Sequence, residues 1–168
     1  DSFSHPTGIV VDANGKIYIS DEIHNRIVRV DDMTGANPVT LSTFSGTDTF
    51  SQPTGIFVDT NGKIYVADIG HSRIVRIDDM TGANAVALST FNGSDFFIGI
   101  TGIFVDTNGK IYVSDANHNR IVRVDNMTGA NPVILSTFNT TDSFSHPTGI
   151  VVDANGKIYV SDTFHSRI

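Results

Sequence analysis

The chain has no cysteine, so no disulfide, zinc–thiolate centre or thiol nucleophile is available to it, and the redox compartment stays open. Glu22 is the only glutamate among 18 acidic residues, a skew toward Asp that suits turns and strands and speaks against helices. Basic residues are also scarce. With 11 Lys and Arg the formal charge is −7, which repels phosphates and anionic lipid and excludes nucleic acid as the expected partner. No apolar run approaches the roughly 18 residues that span a bilayer, so membrane insertion is not expected. The opening DSFSHPTG does not look like a signal peptide, and its first residue is Asp rather than Met. The chain is therefore expected to be a mature form, a form made for study, or a portion of something longer. Apolar content is ordinary for a globular protein.

What the sequence does have is repetition. Gly8, Gly55, Gly102 and Gly149 stand in the same context, 47 residues apart each time. HPTGIVVDANGKIYISDEIHNRI becomes QPTGIFVDTNGKIYVADIGHSRI, then GITGIFVDTNGKIYVSDANHNRI, then HPTGIVVDANGKIYVSDTFHSRI. The units are 1–47, 48–94, 95–141 and an incomplete 142–168, read as one array over 1–168. Copies 1 and 4 differ at four of 27 shared positions, while copies 1 and 2 differ at nine. Similarity that returns every third copy points to a super-repeat of three units, which would fit a six-bladed ring of two triplets.

Within the first unit, Gly8 to Asp12 and Lys16 to Asp21 are Ile, Val and Tyr runs on either side of Ala-Asn-Gly, a strong hairpin signal. They predict strands A and B. Arg26 to Asp31 and Val39 to Thr43, separated by a turn sequence, predict strands C and D. Four short antiparallel strands per unit of this length is the pattern of a propeller blade, and no 3.6-residue period competes with it. The predicted fold is therefore all-β, a β-propeller of four-stranded antiparallel blades with about 3.5 blades in this chain. A closed ring needs at least about four blades. Either a longer polypeptide or several copies of the chain are expected to complete a six-bladed or other closed ring.

The unit PTGIxVDxNGKIYVSDxxHxRIVRVD resembles the NHL repeat, whose usual form is P-x-G-(apolar)-x-V-D-x-x-G-x-(apolar)-(aromatic)-V-(apolar)-D-x-x-N-x-R-I. The resemblance runs over essentially the whole chain. It departs at His24, His71, His118 and His165, where the family usually has Asn, and at Ile100, which replaces the proline seen as Pro6, Pro53 and Pro147. The resemblance implies a ring, often six-bladed, used by different members for protein or RNA contact, for extracellular display, or occasionally for lyase chemistry.

In a four-stranded meander the A–B and C–D turns lie at one end of the blade, and the B–C turn and the D-to-A link at the other. The first end barely changes between copies. At the second, Glu22-Ile23 becomes Ile69-Gly70, Ala116-Asn117 and Thr163-Phe164, and SGTDTFSQ becomes NGSDFFIG and NTTDSFSH. Variable loops on a constant scaffold are where binding resides, so these eight B–C residues are the candidate site, with unconstrained drift as the bland alternative. His24, His71, His118 and His165 are weak metal candidates, because a group present in every blade most simply does a structural job such as a hydrogen bond across the turn. His5 and His146 recur only in copies 1 and 4. Asp21, Asp68, Asp115 and Asp162 each precede an Arg by five residues and are expected to pair across the turn or between blades. The Asp of DANG lacks the further carboxylates of a calcium loop, and a hairpin explains it. Asn92, Asn126 and Asn139 begin glycosylation sequons.

Near-identical blades supply one group repeatedly, whereas catalysis asks for unlike groups in one pocket. No catalytic residue and no cofactor is assigned. The expected function is non-catalytic binding of a protein, peptide or glycan on the variable end. The alternatives are a self-assembling structural protein, natural and extracellular or engineered, and third a metal-dependent lyase or lactonase-like enzyme. Near-identity of adjacent copies implies recent amplification or design, and a secreted or extracellular setting is slightly favoured.

Overall fold

The computed structural model describes residues 2–138 and 141–168. In the first blade, strands A (Pro6–Val11), B (Ile17–Asp21), C (Arg26–Val30) and D (Val39–Leu41) form one antiparallel meander in the order A-B-C-D. The second blade repeats it with Pro53–Val58, Ile64–Asp68, Arg73–Ile77 and Val86–Leu88, and the third with Ile100–Val105, Ile111–Asp115, Arg120–Val124 and Val133–Leu135. Pro147–Val152 and Ile158–Asp162 are strands A and B of a fourth, and Arg167 bridges back to Asp162 where strand C begins. No helix among the described residues is long and apolar enough to cross a membrane.

The A–B turn works as its sequence predicts. Asp12 Oδ1 accepts the N–H of Asn14 and of Lys16, the Asp12 carbonyl accepts the Gly15 N–H, and Gly15 takes a φ of +80° that glycine adopts without steric cost. The remaining Asp12 oxygen accepts the Tyr18 hydroxyl, so this carboxylate is spent on the hairpin.

Strand D ends sooner than the sequence predicts. It stops at Leu41, and Thr43–Phe44 pairs instead with Asp48–Thr49 in a separate two-residue hairpin within the D-to-A link. Thr90–Phe91 with Asp95–Phe96, and Thr137–Phe138 with Asp142–Ser143, repeat it. Each hairpin brings two phenylalanines together. Phe44 meets Phe50 at 4.7 Å and Phe91 meets Phe97 at 4.8 Å, all four buried, while Phe138 meets Phe144 at 5.0 Å. The expectation of no helix also needs a small correction, since 3-10 turns occupy Ile69–His71, Ala116–His118 and Thr163–His165.

The core lies between blades, because period-2 alternation gives each sheet two apolar faces. One face of blade one, with Tyr18, Ile27 and Leu41, packs on the opposite face of blade two, with Ile56, Ile64 and Val75. Tyr65, Ile74 and Leu88 of blade two meet Ile103, Ile111 and Val122 of blade three in the same way. Strand A of each blade runs beside strand A of the next, and glycine makes the approach possible: a Cβ on Gly55 would lie 2.6 Å from the Thr101 carbonyl oxygen. Ile100, at the family's proline position, is buried in strand A like the prolines it replaces at 53 and 147.

Candidate functional site

The variable end is built on a node that recurs in every blade. Strand B ends on an aspartate whose side chain is shut off from solvent or nearly so, a costly position for a carboxylate unless several donors reach it. Asp68 accepts the Ser51 N–H at 2.6 Å, the His71 Nδ1–H at 3.0 Å and the Arg73 Nε–H at 2.8 Å. Asp21 takes the same bonds from Ser4, His24 and Arg26, Asp115 from Ile98, His118 and Arg120, and Asp162 from Ser145, His165 and Arg167. Burial opposes the charge on Asp21 and Asp162, but the backbone N–H, the imidazole and the guanidinium outweigh it and hold both pKa values below the ordinary aspartate range. The turn then reverses through Asn25, Ser72, Asn119 or Ser166 at φ between 52° and 54°, a left-handed conformation that short polar side chains tolerate.

The Asp–Arg pairing expected across the turn is thus present, and it extends into the link. Arg73 grips Asp48 with both terminal nitrogens at 2.8 Å and lies over the Phe44 ring, while Arg120 does the same with Asp95 and Phe91. Asn25 and Asn119 reach further, accepting the N–H of Gln52 and His146 at the next link. The four turn histidines sit one per blade on separate aspartates, and no three metal-ligating side chains come together among the described residues.

Onto this node each blade grafts a different pair of contacts between its B–C turn and the link before it. In blade one His5 Nδ1 meets Glu22 Oε2 at 2.7 Å. In blade two Gly70 lies so close over Ser51 that any Cβ would strike its side chain. In blade three the roles reverse, with Asn117 against Gly99, where a Cβ would come within 2.6 Å of the amide. In blade four His146 stacks on Phe164 at 4.7 Å, the rings 11° from parallel. Much of the variation is therefore paired packing, small opposite large and base opposite acid.

This sorts the eight B–C candidates. Ala116 is fully buried, the first residue of its 3-10 turn pointing inward, and so is not presented as the variable loop implied. Glu22 is engaged by His5, Gly70 and Asn117 are fitted to their links, Ile69 is half-buried, and the Thr163 hydroxyl bonds Thr148. Ile23 and Phe164 stand out, 60 % and 70 % exposed. A third projecting residue comes from the link: Phe96 is 49 % exposed, edge-on to His118 at 5.6 Å. The doubled phenylalanine Phe96-Phe97, where other copies have a polar residue before the phenylalanine, was its signal in the sequence. Of the sequons, Asn92 is exposed in its link hairpin, Asn126 accepts the Thr128 N–H in the C–D turn, and Asn139 lies outside the described residues.

At the other end, a cavity of about 370 Å³ opens between the A–B turns, lined by Phe57 and Phe104 with their rings 4.9 Å apart and by Asp59, Asp106 and Asp153. These carboxylates are already bound into their hairpins, as Asp12 is.

Comparison with known proteins agrees with this architecture. Among solved structures, the chain is similar to a streptogramin B lyase (17 % identity, TM-score 0.70, 96 % of this chain and 49 % of that one). It is also similar to a virginiamycin B lyase from Staphylococcus aureus (20 % identity, TM-score 0.65, 92 % and 48 %). A chain of a nidogen/laminin complex matches at 25 % identity and TM-score 0.70, over 90 % of this chain and 54 % of that one. The chain spans about half the length of these structures. No curated protein matches its sequence. The family model for the NHL repeat matches residues 3–29, 50–77 and 144–168. Those segments are NHL repeats, and the chain is a run of about three and a half β-propeller blades of that family.

Proposed function

We propose that the chain is a non-catalytic binding module that presents its B–C turns and D-to-A links to a protein, peptide or glycan. The observation that carries this reading is the exposure of Ile23, Phe96 and Phe164 on one end of otherwise repeated blades, beside imidazoles fixed to buried aspartates. Each stands at a position where the copies differ. Apolar side chains held on a rigid turn lose little entropy on contact and suit recognition. The likeness to a chain of a nidogen/laminin complex is in keeping with a protein partner. The likeness to the lyases, at 17 % and 20 % identity, speaks to the fold alone and brings no catalytic set with it.

A peptide and glycan array probed with the chain tests this reading. A binder that is lost with the Ile23→Ser, Phe96→Ser, Phe164→Ser triple variant, and kept when Asn61 and Asn108 of the A–B turns are replaced by Ser, is the expected result. Binding indifferent to the triple variant would refute it.

A further inference from the structure

The three junctions between blades share one construction. The Thr7 hydroxyl donates to the Pro53 carbonyl at 3.3 Å, Thr54 to Ile100 at 2.9 Å, and Thr101 to Pro147 at 3.1 Å. Beside each threonine a glycine, Gly8, Gly55 or Gly102, passes so near the next blade's threonine carbonyl that a Cβ would collide with it. Thr148 and Gly149 are the fourth such pair. Around Gly149 a Cβ would meet only the Ser161 side chain of its own blade.

The apolar faces show the same half-filled pattern. Met80, 9 % exposed, and Ile56, 7 % exposed, are covered by the preceding blade, whereas their counterparts in blade one, Met33 and Ile9, are 88 % and 67 % exposed. They border a cavity of about 410 Å³ over Ile17, Ile19 and Val30. At the far side, Val151 and Tyr159 are exposed, and they are the counterparts of Val10 and Tyr18, which cover blade two. One open face is the missing half of the other, and residues 142–168 reproduce 1–27 at all but four positions.

We infer that a second copy of this chain docks head-to-tail, its blade one packing on the open face of blade four in the register of the internal junctions. In that register Thr148 donates to the Pro6 carbonyl of the second copy, Gly149 passes its Thr7 carbonyl, and Val151 and Tyr159 cover its Ile9 and Val11. The contact is heterologous, using a different face on each copy. The occupant follows from continuity with the internal interfaces, each of which is this same face pair.

Sedimentation velocity of the 168-residue chain across the micromolar range tests the inference. The expected result is association into multiples of 18.1 kDa that is lost in three variants, each at least tenfold weaker: Val11→Lys, Val151→Lys and Gly149→Ala. Val11 and Val151 are solvent-exposed, and circular dichroism checks that each variant keeps its strands, with Ile9→Lys as a second head-face variant. Gly149→Ala removes no apolar area, so its effect separates a registered junction from general stickiness. A chain monomeric throughout would overturn the inference and leave the faces to blades from other polypeptides. So would association that survives any one of the three variants, since a head-to-head contact would tolerate Val151→Lys.

Discussion

Arg73 holds Asp48 by both terminal nitrogens at 2.8 Å while its Nε–H is committed to Asp68, so one guanidinium ties the end of strand B to the hairpin that links two blades. The planar fork of arginine makes this possible, since lysine has no geometry for three bonds in two directions. The same clamp recurs at Arg120. It explains why a turn whose tips differ in every copy keeps one backbone course.

Replacing Asp68 by Ala should therefore destabilise the chain strongly. The side chain has no solvent exposure, and its loss leaves the Ser51 N–H and a largely buried guanidinium without their acceptor. Breaking a buried pair from one side costs about 3 to 5 kcal/mol. Urea denaturation followed by circular dichroism should show the midpoint fall accordingly, whereas Asp12→Ala, in an A–B turn, should cost about 1 kcal/mol, as a lost turn hydrogen bond does.

Acid should unfold the chain through these carboxylates. The Arg73 and Arg120 guanidiniums hold Asp48 and Asp95 below the ordinary aspartate pKa, and the donors around Asp21 and Asp162 hold those two below it despite burial. A depressed folded pKa means the unfolded chain takes up protons first. The stabilisation is full above the unfolded value of about 3.8 and is lost as pH falls through the folded values. The thermal midpoint should drop steeply below about pH 4, and a midpoint level down to pH 2 would contradict this.

Phe96 and Phe97 should behave oppositely although they are neighbours. Phe97 is wholly buried against Phe91, so Phe97→Ala should cost about 3 to 5 kcal/mol of stability. Phe96→Ala should leave the urea midpoint within about 0.5 kcal/mol of the parent, as surface changes do, and weaken ligand binding instead.

The blade was legible because its information is local. DANGK closes one hairpin by Asp12 and Gly15, and the Ile-Val-Tyr runs alternate in register with it. The link hairpin was not legible, because two-residue strands around Ser45-Gly46-Thr47 read as loop and their support comes from Arg73, 25 residues beyond Asp48. The paired character of the variable end was hidden for the same reason. His5 and Glu22 are 17 residues apart, and each looks like drift until the two are seen in contact. Ala116 shows the converse error, since a variable position in a turn can still face inward.

The most direct test of the variable end as the binding surface is amide chemical-shift mapping of the isotope-labelled chain titrated with its best array binder. The account predicts that the largest shifts fall at residues 22–24, 96–97, 116–118 and 163–165. Shifts centred on the A–B turns and the cavity beside Phe57 and Phe104 would contradict it.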